Sequence, residues 1–462
     1  MKSTRTTAAL NETPWGHSRR AIAVAILAAS LGACAVGPEY VRPKVDMPAQ
    51  FAADAGWQPA RPRDGEPRGK WWEVYGDTSL NALMDKVQVD NLNVRQAEAR
   101  YRQASALAQE ARAGFFPVVS ASAGTSQQHS SSLNTVTGTR VASHSTTSSL
   151  SLGASWMPDL WGRIRRSVEA GDASAEASRA ELAAALLSAQ AELAQDYFQL
   201  RVVDAQSALY ERSVADYQRS LQITQNQFAV GIGTRADVAR AETQLLTTQA
   251  QAVDLGVQRT QLEHAIALLI GATPGQFQLP PAPLPAALPA VPDGVPSDLL
   301  ERRPDIAAAE RQVAAANASI GVARSAYFPA LTLSGSGGLE AARLADLFDS
   351  PTRVWSVGAA LAGTLFDGGL RAAQSDAAVA AYDAQVAAYR QTVLGSLQEV
   401  EDNLSTLRLL EQEAEVQDRA VQASEEATTL AFNQYKAGTA SYLAVVTAQA
   451  TALGNERTRL QI

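Results

Sequence analysis

Side chains able to do catalytic or metal chemistry are few in this sequence and stand far apart. None of the four histidines, His17, His129, His144 and His264, has a partner at the spacing typical of zinc sites. The polar stretch around His129 and His144 predicts that both are solvated loop residues. The glycine-rich run 334–338 precedes neither a lysine nor a helix start, so phosphate binding is not expected. The sequence therefore predicts no enzyme, no metal site and no cofactor.

The only cysteine, Cys34, stands directly after an apolar run and two small residues, Gly32 and Ala33. Basic residues precede the apolar run Ala21–Leu31, which is typical of a signal peptide over 1–33. The order Leu-Gly-Ala-Cys resembles a bacterial lipobox, which implies that Cys34 is acylated and becomes the first residue. Alanine rather than aspartate follows it, and by the same resemblance this favours the outer membrane. The alternative is an incidental thiol, since a single cysteine forms no internal disulfide.

The overall charge argues against nucleic acid as a partner. The chain of 462 residues carries a formal charge of −8 and has no basic cluster. Hydrophobic residues make up 46%, much of it alanine, which suits close packing of helix on helix. No apolar run is long enough for a membrane-spanning helix.

Two long helices organise the chain, at 162–230 and 369–437. Large apolar residues recur there every three or four positions, as in Val379, Tyr382, Val386, Tyr389 and Val393. At 1.5 Å per residue each helix is about 100 Å long, so it spans a distance. Each ends at a glycine turn and is followed by a shorter helix, at 234–270 and 440–462. Earlier, Thr78 or Ser79 is expected to cap a short helix that ends at Asn91.

Two hairpins, 116–156 and 330–366, carry the period of two that is typical of strands. The strand pattern covers 116–126 and 148–156 in the first hairpin, and the polar segment between them is predicted as an exposed loop. Strands of about ten residues can cross a bilayer when tilted. Four strands cannot close a barrel, so membrane insertion requires oligomerisation. The alternative is two water-soluble hairpins packed on a helical body.

The order of helix, hairpin, long helix, glycine turn and helix occurs twice. Residues 93–117 align without gaps on 305–329, and 227–242 align on 434–449. The first repeat with its N-terminal linker is predicted over 34–275, and the second over 301–462. A proline-rich crossing segment, 276–300, joins them. The second repeat has no counterpart to 256–275, so a truncated or frayed C-terminal helix is expected.

Several short motifs resemble the outer membrane factor (TolC-like) family, in its lipoprotein branch serving RND efflux systems (the NodT/OprM type). They are VGPEYVRP behind Cys34, WWEVYGD, the two Phe-Pro strand starts, LERRPDI at 300–306 and the paired glycine turns. The resemblance implies a mainly helical trimer with a small membrane β part. Four strands from each chain contribute to a twelve-stranded β-barrel, and long antiparallel helices form an α-barrel in the periplasm.

The resemblance also implies that the two glycine turns form tips that meet a periplasmic adaptor protein and narrow the pore. By position the tips are Gly231–Asp237 and Gly438–Ala444. The residues carried over are Gly231, Gly233, Thr234, Asp237, Gly438 and Ser441. The second tip lacks the aspartate that the family often has. Glu425 and Glu426 are candidate acidic pore positions, or a solvated helix face.

The favoured function is a passive exit duct of a tripartite efflux system, lipid-anchored in the bacterial outer membrane and extending into the periplasm. Its partners are two further copies, the adaptor, an inner-membrane RND-type pump and outer membrane lipid. One alternative is the outer membrane component of a type I protein secretion system. A periplasmic adaptor lipoprotein is another, although it has one hairpin nested in split β domains rather than a tandem repeat. The exported substrate stays open.

Overall fold

The computed structural model describes residues 35–44, 69–133, 138–284, 289, 302–349 and 351–462. Cys34, the predicted signal peptide and much of the crossing segment 276–300 lie outside them. Most described residues are helical. The helices are α1 (Thr78–Asp90), α2 (Leu92–Ala113), α3 (Arg163–Ala229), α4 (Arg235–Leu269), α5 (Pro304–Ser325), α6 (Leu370–Lys436) and α7 (Tyr442–Gln461).

The described residues form two compact units. The first contains the residues up to Lys44, Arg102–Ala177 and Ala309–Tyr389, and the second contains the described part of Val45–Tyr101, Ser178–Ala308 and Arg390–Ile462. Helices α3 and α6 have 67 residues each, which gives each a length of about 100 Å. No helix in the described ranges combines the length and the hydropathy needed to cross a bilayer.

The first unit holds one antiparallel sheet in the order β1-β2-β3-β4. The strands are β1 (Val118–Leu133), β2 (Arg140–Trp156), β3 (Ala330–Ala341) and β4 (Arg353–Ala362). The prediction of a loop through most of 127–147 was wrong, because β1 and β2 stay paired from Val118↔Ser155 to Leu133↔Arg140. Serine, threonine and glutamine occupy both faces there, so the hydrophobic alternation that marks a strand disappears although backbone pairing continues.

This correction changes the surroundings of two histidines. His129 and His144, predicted as loop residues, lie on β1 and β2 and pair directly with each other. Both histidines are exposed to solvent, as predicted.

The register places large apolar side chains on one face of the sheet. Leu152 pairs with Gly337, which pairs with Trp355, and Trp156 pairs with Leu333, so these side chains share a face. The same face carries Leu150, Val357 and Leu361, while the opposite face carries Ser149, Ser151, Ser155, Ser334, Ser336 and Ser356. Leu152, Trp355, Val357 and Leu361 are exposed within the chain. One sheet face is therefore apolar, and the described residues leave it exposed, as a lipid-facing surface requires.

The main core of the second unit forms where α1 packs on α3 and α4. Trp72, Leu80 and Met84 are buried against Leu193 and Ile266. The expected cap of α1 was wrong: Asp77 caps the helix, and its carboxylate accepts hydrogen bonds from the Ser79 and Leu80 amides at 2.8 and 3.0 Å. The other Asp77 oxygen accepts the Tyr197 hydroxyl at 2.5 Å. A carboxylate one residue earlier than predicted therefore serves both the helix and a buried tyrosine.

Candidate functional site: the two interhelical tips

The first tip, Gly231–Asp237, begins with a glycine in the left-handed region. Gly231 has a φ of 80°. Its amide donates to the Phe228 carbonyl at 3.0 Å, and the Ile232 amide donates to the Gln227 carbonyl at 2.9 Å. This pair of bonds is a Schellman motif, which satisfies carbonyls left free at the end of a helix. The conformation explains why glycine stands at this position.

The glycine at position 233 has a different role. A Cβ added to Gly233 meets the Phe228 amide nitrogen at 3.2 Å, tighter than ordinary contact. Gly233 therefore allows close approach of the returning chain to α3, and its backbone is outside the left-handed region.

Thr234 and Asp237 start α4 with a capping box. The Thr234 hydroxyl accepts the Asp237 amide at 3.2 Å, and the Asp237 carboxylate accepts the Thr234 amide at 3.2 Å. Thr234 is the N-cap of α4. Asp237 also pairs with Arg240 at 3.3 Å. The Asp237 carboxylate thus makes its contacts within the turn and the first turn of α4.

The second tip, Gly438–Ala444, repeats the first turn. Gly438 has a φ of 73°, its amide donates to the Tyr435 carbonyl at 3.0 Å, and the Thr439 amide donates to the Gln434 carbonyl at 3.0 Å. Ser441 caps α7 by position, yet its side chain makes no capping hydrogen bond. The two tips therefore share the glycine motif and differ in the strength of the cap that follows.

The tips pack together through a tyrosine cluster. Tyr435, Tyr442 and Val445 from α6 and α7 are buried with Ala241 of α4. The two tyrosine rings lie 5.1 Å apart. Burial, followed by the field of Tyr435, raises the pKa of Tyr442 from 10.0 to about 12.

The outer surfaces of the tips differ in polarity. On the first tip and the α3 turn before it, Phe228, Val230 and Ile232 expose 44%, 71% and 76% of their surface. On the second tip, Leu443 is the large apolar side chain that is exposed, at 52%. The two turns are therefore held together, and the first of them exposes the larger apolar surface.

A family model described as outer membrane efflux protein matches residues 83–272 and 295–462. This chain belongs to the outer membrane efflux protein family. The pyoverdine export outer membrane protein OpmQ of Pseudomonas aeruginosa is 28% identical, over 94% of this chain and 91% of its own length. Outer membrane protein OprJ of the same organism is 30% identical, over 94% and 90%. The solved structure of the outer-membrane channel OprN has a TM-score of 0.84 at 34% identity and covers 93% of this chain and 95% of its own.

The family and the fold class predicted from the motifs are thereby confirmed: this efflux family member has the fold of TolC-like outer membrane channels. OpmQ is named as an export protein of the outer membrane and OprJ as an outer membrane protein, and neither name is that of an enzyme. The number of chains in the assembly and the roles of the tip residues remain predictions.

The family motif behind Cys34 is fixed to the first unit by several contacts. Arg166, whose side chain is 4% exposed, pairs with Glu39 at 3.0 Å. The Tyr40 hydroxyl donates to Glu310 at 2.5 Å. Gly37 lies so close to Gly321 that an added Cβ would come within 2.6 Å of the Gly321 Cα. These contacts give Gly37, Glu39 and Tyr40 of VGPEYVRP each a defined place on the first unit.

The same contacts bring Ala35, the residue after Cys34, to the base of the sheet. A Cβ added to Gly162 would lie 2.9 Å from the Ala35 Cα. The neighbouring Trp161 donates its indole N–H to the Pro329 carbonyl, just before β3, at 2.7 Å, and stacks on Phe328.

The structure also contains a buried ionic cluster that the sequence reasoning missed. Arg201 and Asp204 on α3, with side chains 2% and 3% exposed, pair at 2.8 Å. Arg259 on α4 bonds to Asp204 at 2.9 Å and to Glu263 at 2.8 Å. The cluster has no net charge. Its sequence signal was the placement of Arg201 directly after Leu200, one of the large apolar residues that recur every three or four positions in the first long helix.

This ionic cluster holds the start of the proline-rich crossing segment. Arg201 donates to the Pro280 carbonyl at 2.9 Å, Glu263 accepts the Leu279 amide at 2.9 Å, and Asp204 accepts the Ala282 amide at 3.2 Å. The described start of this extended segment is thereby fixed to two helices.

Glu425 and Glu426 lie on exposed positions of α6, about three turns before its end. The structure does not bring them to the tips. Instead, the field of Glu425 reaches Glu456 on α7, where it adds to burial in raising the Glu456 pKa. Their assignment to the pore remains a prediction.

Proposed function

We propose that this protein is the outer membrane exit duct of a tripartite efflux system. The observation that carries the proposal is the pair of matched glycine-turn tips on the fold of an efflux family member. The tips would receive the helices of a periplasmic adaptor, and an inner-membrane RND-type pump would deliver the substrate. Conduction is passive, because a duct needs no reacting group. Three copies would close the apolar-faced sheets into a barrel, with the long helices lining the duct.

The test is restoration of efflux in a strain lacking its own exit duct. Co-expression of this protein with its cognate adaptor and pump should lower the intracellular concentration of a fluorescent pump substrate. A matched strain expressing the duct without the adaptor should not. Type I secretion predicts a different result, namely release of a polypeptide to the medium with no change in accumulation of small molecules. Failure to support either transport would overturn the proposal.

We further propose that Cys34 is the lipid attachment site. The supporting observation is that Ala35 is seated beside Gly162 at the base of the sheet, where an outer membrane anchor is needed. Acyl chains stabilise attachment by about 0.8 kcal/mol per buried methylene. Mass spectrometry of the mature protein should find an acylated Cys34 as first residue, and Cys34→Ser should leave an unprocessed precursor. A free thiol or cleavage elsewhere would contradict the assignment.

A further inference from the structure

The hairpin of β1 and β2 continues well beyond the rest of the sheet. Pairing between β2 and β3 ends at Ser148↔Ala341, whereas β1 and β2 remain paired to Leu133↔Arg140. The extension is a two-stranded ribbon, and most of its residues are polar. Such a ribbon is marginally stable in water by itself, because no third strand among the described residues pairs with it. A cross-link between its strands would therefore stabilise it.

Two imidazoles stand opposite each other within this ribbon. His129 pairs with His144 in the register, and the ring centroids are 4.3 Å apart with planes inclined by 45°. Both residues are exposed. In the described part of the chain, neither ring has a hydrogen-bond or ion-pair partner, so the ring nitrogens are not engaged there.

The neighbours leave the pair accessible. On the same face, the flanking positions are Gln127 and Ser131 on β1 and Ala142 and Thr146 on β2. This face continues along β2 to Leu150, so the histidines lie on the apolar side of the sheet, beyond its apolar band.

We propose that His129 and His144 form a binding site for a divalent transition-metal ion of the Zn²⁺, Ni²⁺ and Cu²⁺ class. Imidazole is the ligand these ions share, and the bond to its nitrogen is about 2.0–2.1 Å. Directly opposed strand residues have Cβ atoms about 4.5–5.5 Å apart, which lets two rings turn towards one ion.

The site has two protein ligands, and water completes the coordination. No group of three or more metal-binding side chains occurs among the residues the structure describes. The bound ion links β1 to β2 and stabilises the paired ribbon over the open one by mass action. This inference is independent of the proposed transport function.

The test uses untagged full-length protein purified in detergent, with zinc chloride as the probe. Calorimetry should show about one ion per chain. His129→Ala and His144→Ala should each weaken binding by about tenfold or more, because one imidazole retains no chelate. The matched control is His264→Ala on α4, an exposed histidine outside the ribbon, which should bind zinc as the wild type does.

A second readout separates the ribbon from other zinc sites. Zinc should slow proteolytic cleavage within 126–147 of the wild type and leave the rate unchanged in His129→Ala. Zinc affinity that is equal in wild type and in the His129→Ala/His144→Ala double variant would overturn the proposal. Absence of measurable zinc binding by the wild type would overturn it as well.

Discussion

At the residue scale, we expect substitutions in the buried ionic cluster to lower the free energy of unfolding most. The cluster has two carboxylates, Asp204 and Glu263. Of these, Asp204 contacts both Arg201 and Arg259. Removing one partner of a buried ion pair leaves an uncompensated charge and costs about 3–5 kcal/mol, more than most surface substitutions. Such a loss also removes one of the contacts that hold the crossing segment, because the Ala282 amide bonds to the same carboxylate.

We expect Asp204→Asn to destabilise the protein by about 3 kcal/mol, since the buried Arg201 loses its counter-ion. Urea unfolding followed by tryptophan fluorescence measures the change. The matched control is Asp216→Asn on the same helix. Asp216 pairs with Arg219 at the same i,i+3 spacing, yet the side chains are 54% and 75% exposed. The control should shift stability by less than about 1 kcal/mol. Equal effects of the two substitutions would contradict the proposed role of the cluster.

Glu456 supplies a prediction that depends on pH. Burial first, and then the fields of Glu425 and Asp216, raise its pKa above the usual 4.5, while Arg212 and Arg459 lower it. A carboxyl whose pKa is raised on folding binds its proton more tightly in the folded state. Stability therefore falls as pH rises from the usual value through the raised one.

Glu456→Gln should accordingly raise the melting temperature at pH 8 and change it little at pH 4. Thermal unfolding at the two pH values measures this difference. Glu426→Gln, an exposed position on α6, is the control and should melt as the wild type does at both. A Glu456→Gln protein that melts below the wild type at pH 8 would show that the carboxylate is stabilising.

At the scale of elements, the tips depend on two glycines with positive φ. A Cβ at Gly231 or Gly438 meets no atom within 4 Å, so the effect of a substitution there is backbone strain alone. The left-handed conformation costs an L-residue about 1–2 kcal/mol. The turns are therefore sensitive to residue type although they are open to solvent.

We expect Gly231→Val and Gly438→Val to weaken adaptor binding at least threefold while the assembly stays intact, because each variant shifts its turn. Co-purification with the adaptor measures docking, and native mass spectrometry measures assembly. Gly395→Ala is the control: it lies inside α6, and its added Cβ also meets nothing within 4 Å. It should bind the adaptor normally. Wild-type export by both valine variants would argue against docking at the tips.

At the scale of the whole molecule, β1 and β4 are the edge strands of the sheet among the described residues. Unpaired edge groups in a bilayer cost several kcal/mol each, and single-chain barrels have at least eight strands. A membrane barrel built from four such strands per chain would therefore need partner chains. We expect native mass spectrometry in mild detergent to find three copies. A stable monomer with its full β content by circular dichroism would refute the barrel.

The sequence by itself determined the family, the helical class and the glycine turns. Those features depend on local rules. Apolar residues that recur every three or four positions indicate a helix, a glycine allows the positive φ of a turn, and a threonine three residues before an acidic residue is typical of a capping box. Long helices without proline and a tandem repeat leave few alternatives, so the motifs around Gly231 and Thr234 could be interpreted without coordinates.

Tertiary structure alone decided the extent of the first hairpin, the pairing of His129 with His144, and the ionic cluster. Polar strands have no hydrophobic period, so their pairing is set by backbone hydrogen bonds that no local pattern reports. Arg201 and Arg259 lie on different helices and meet at Asp204 only after α3 and α4 have packed. A charge far along the chain is a favourable partner once burial removes the water that would otherwise solvate it.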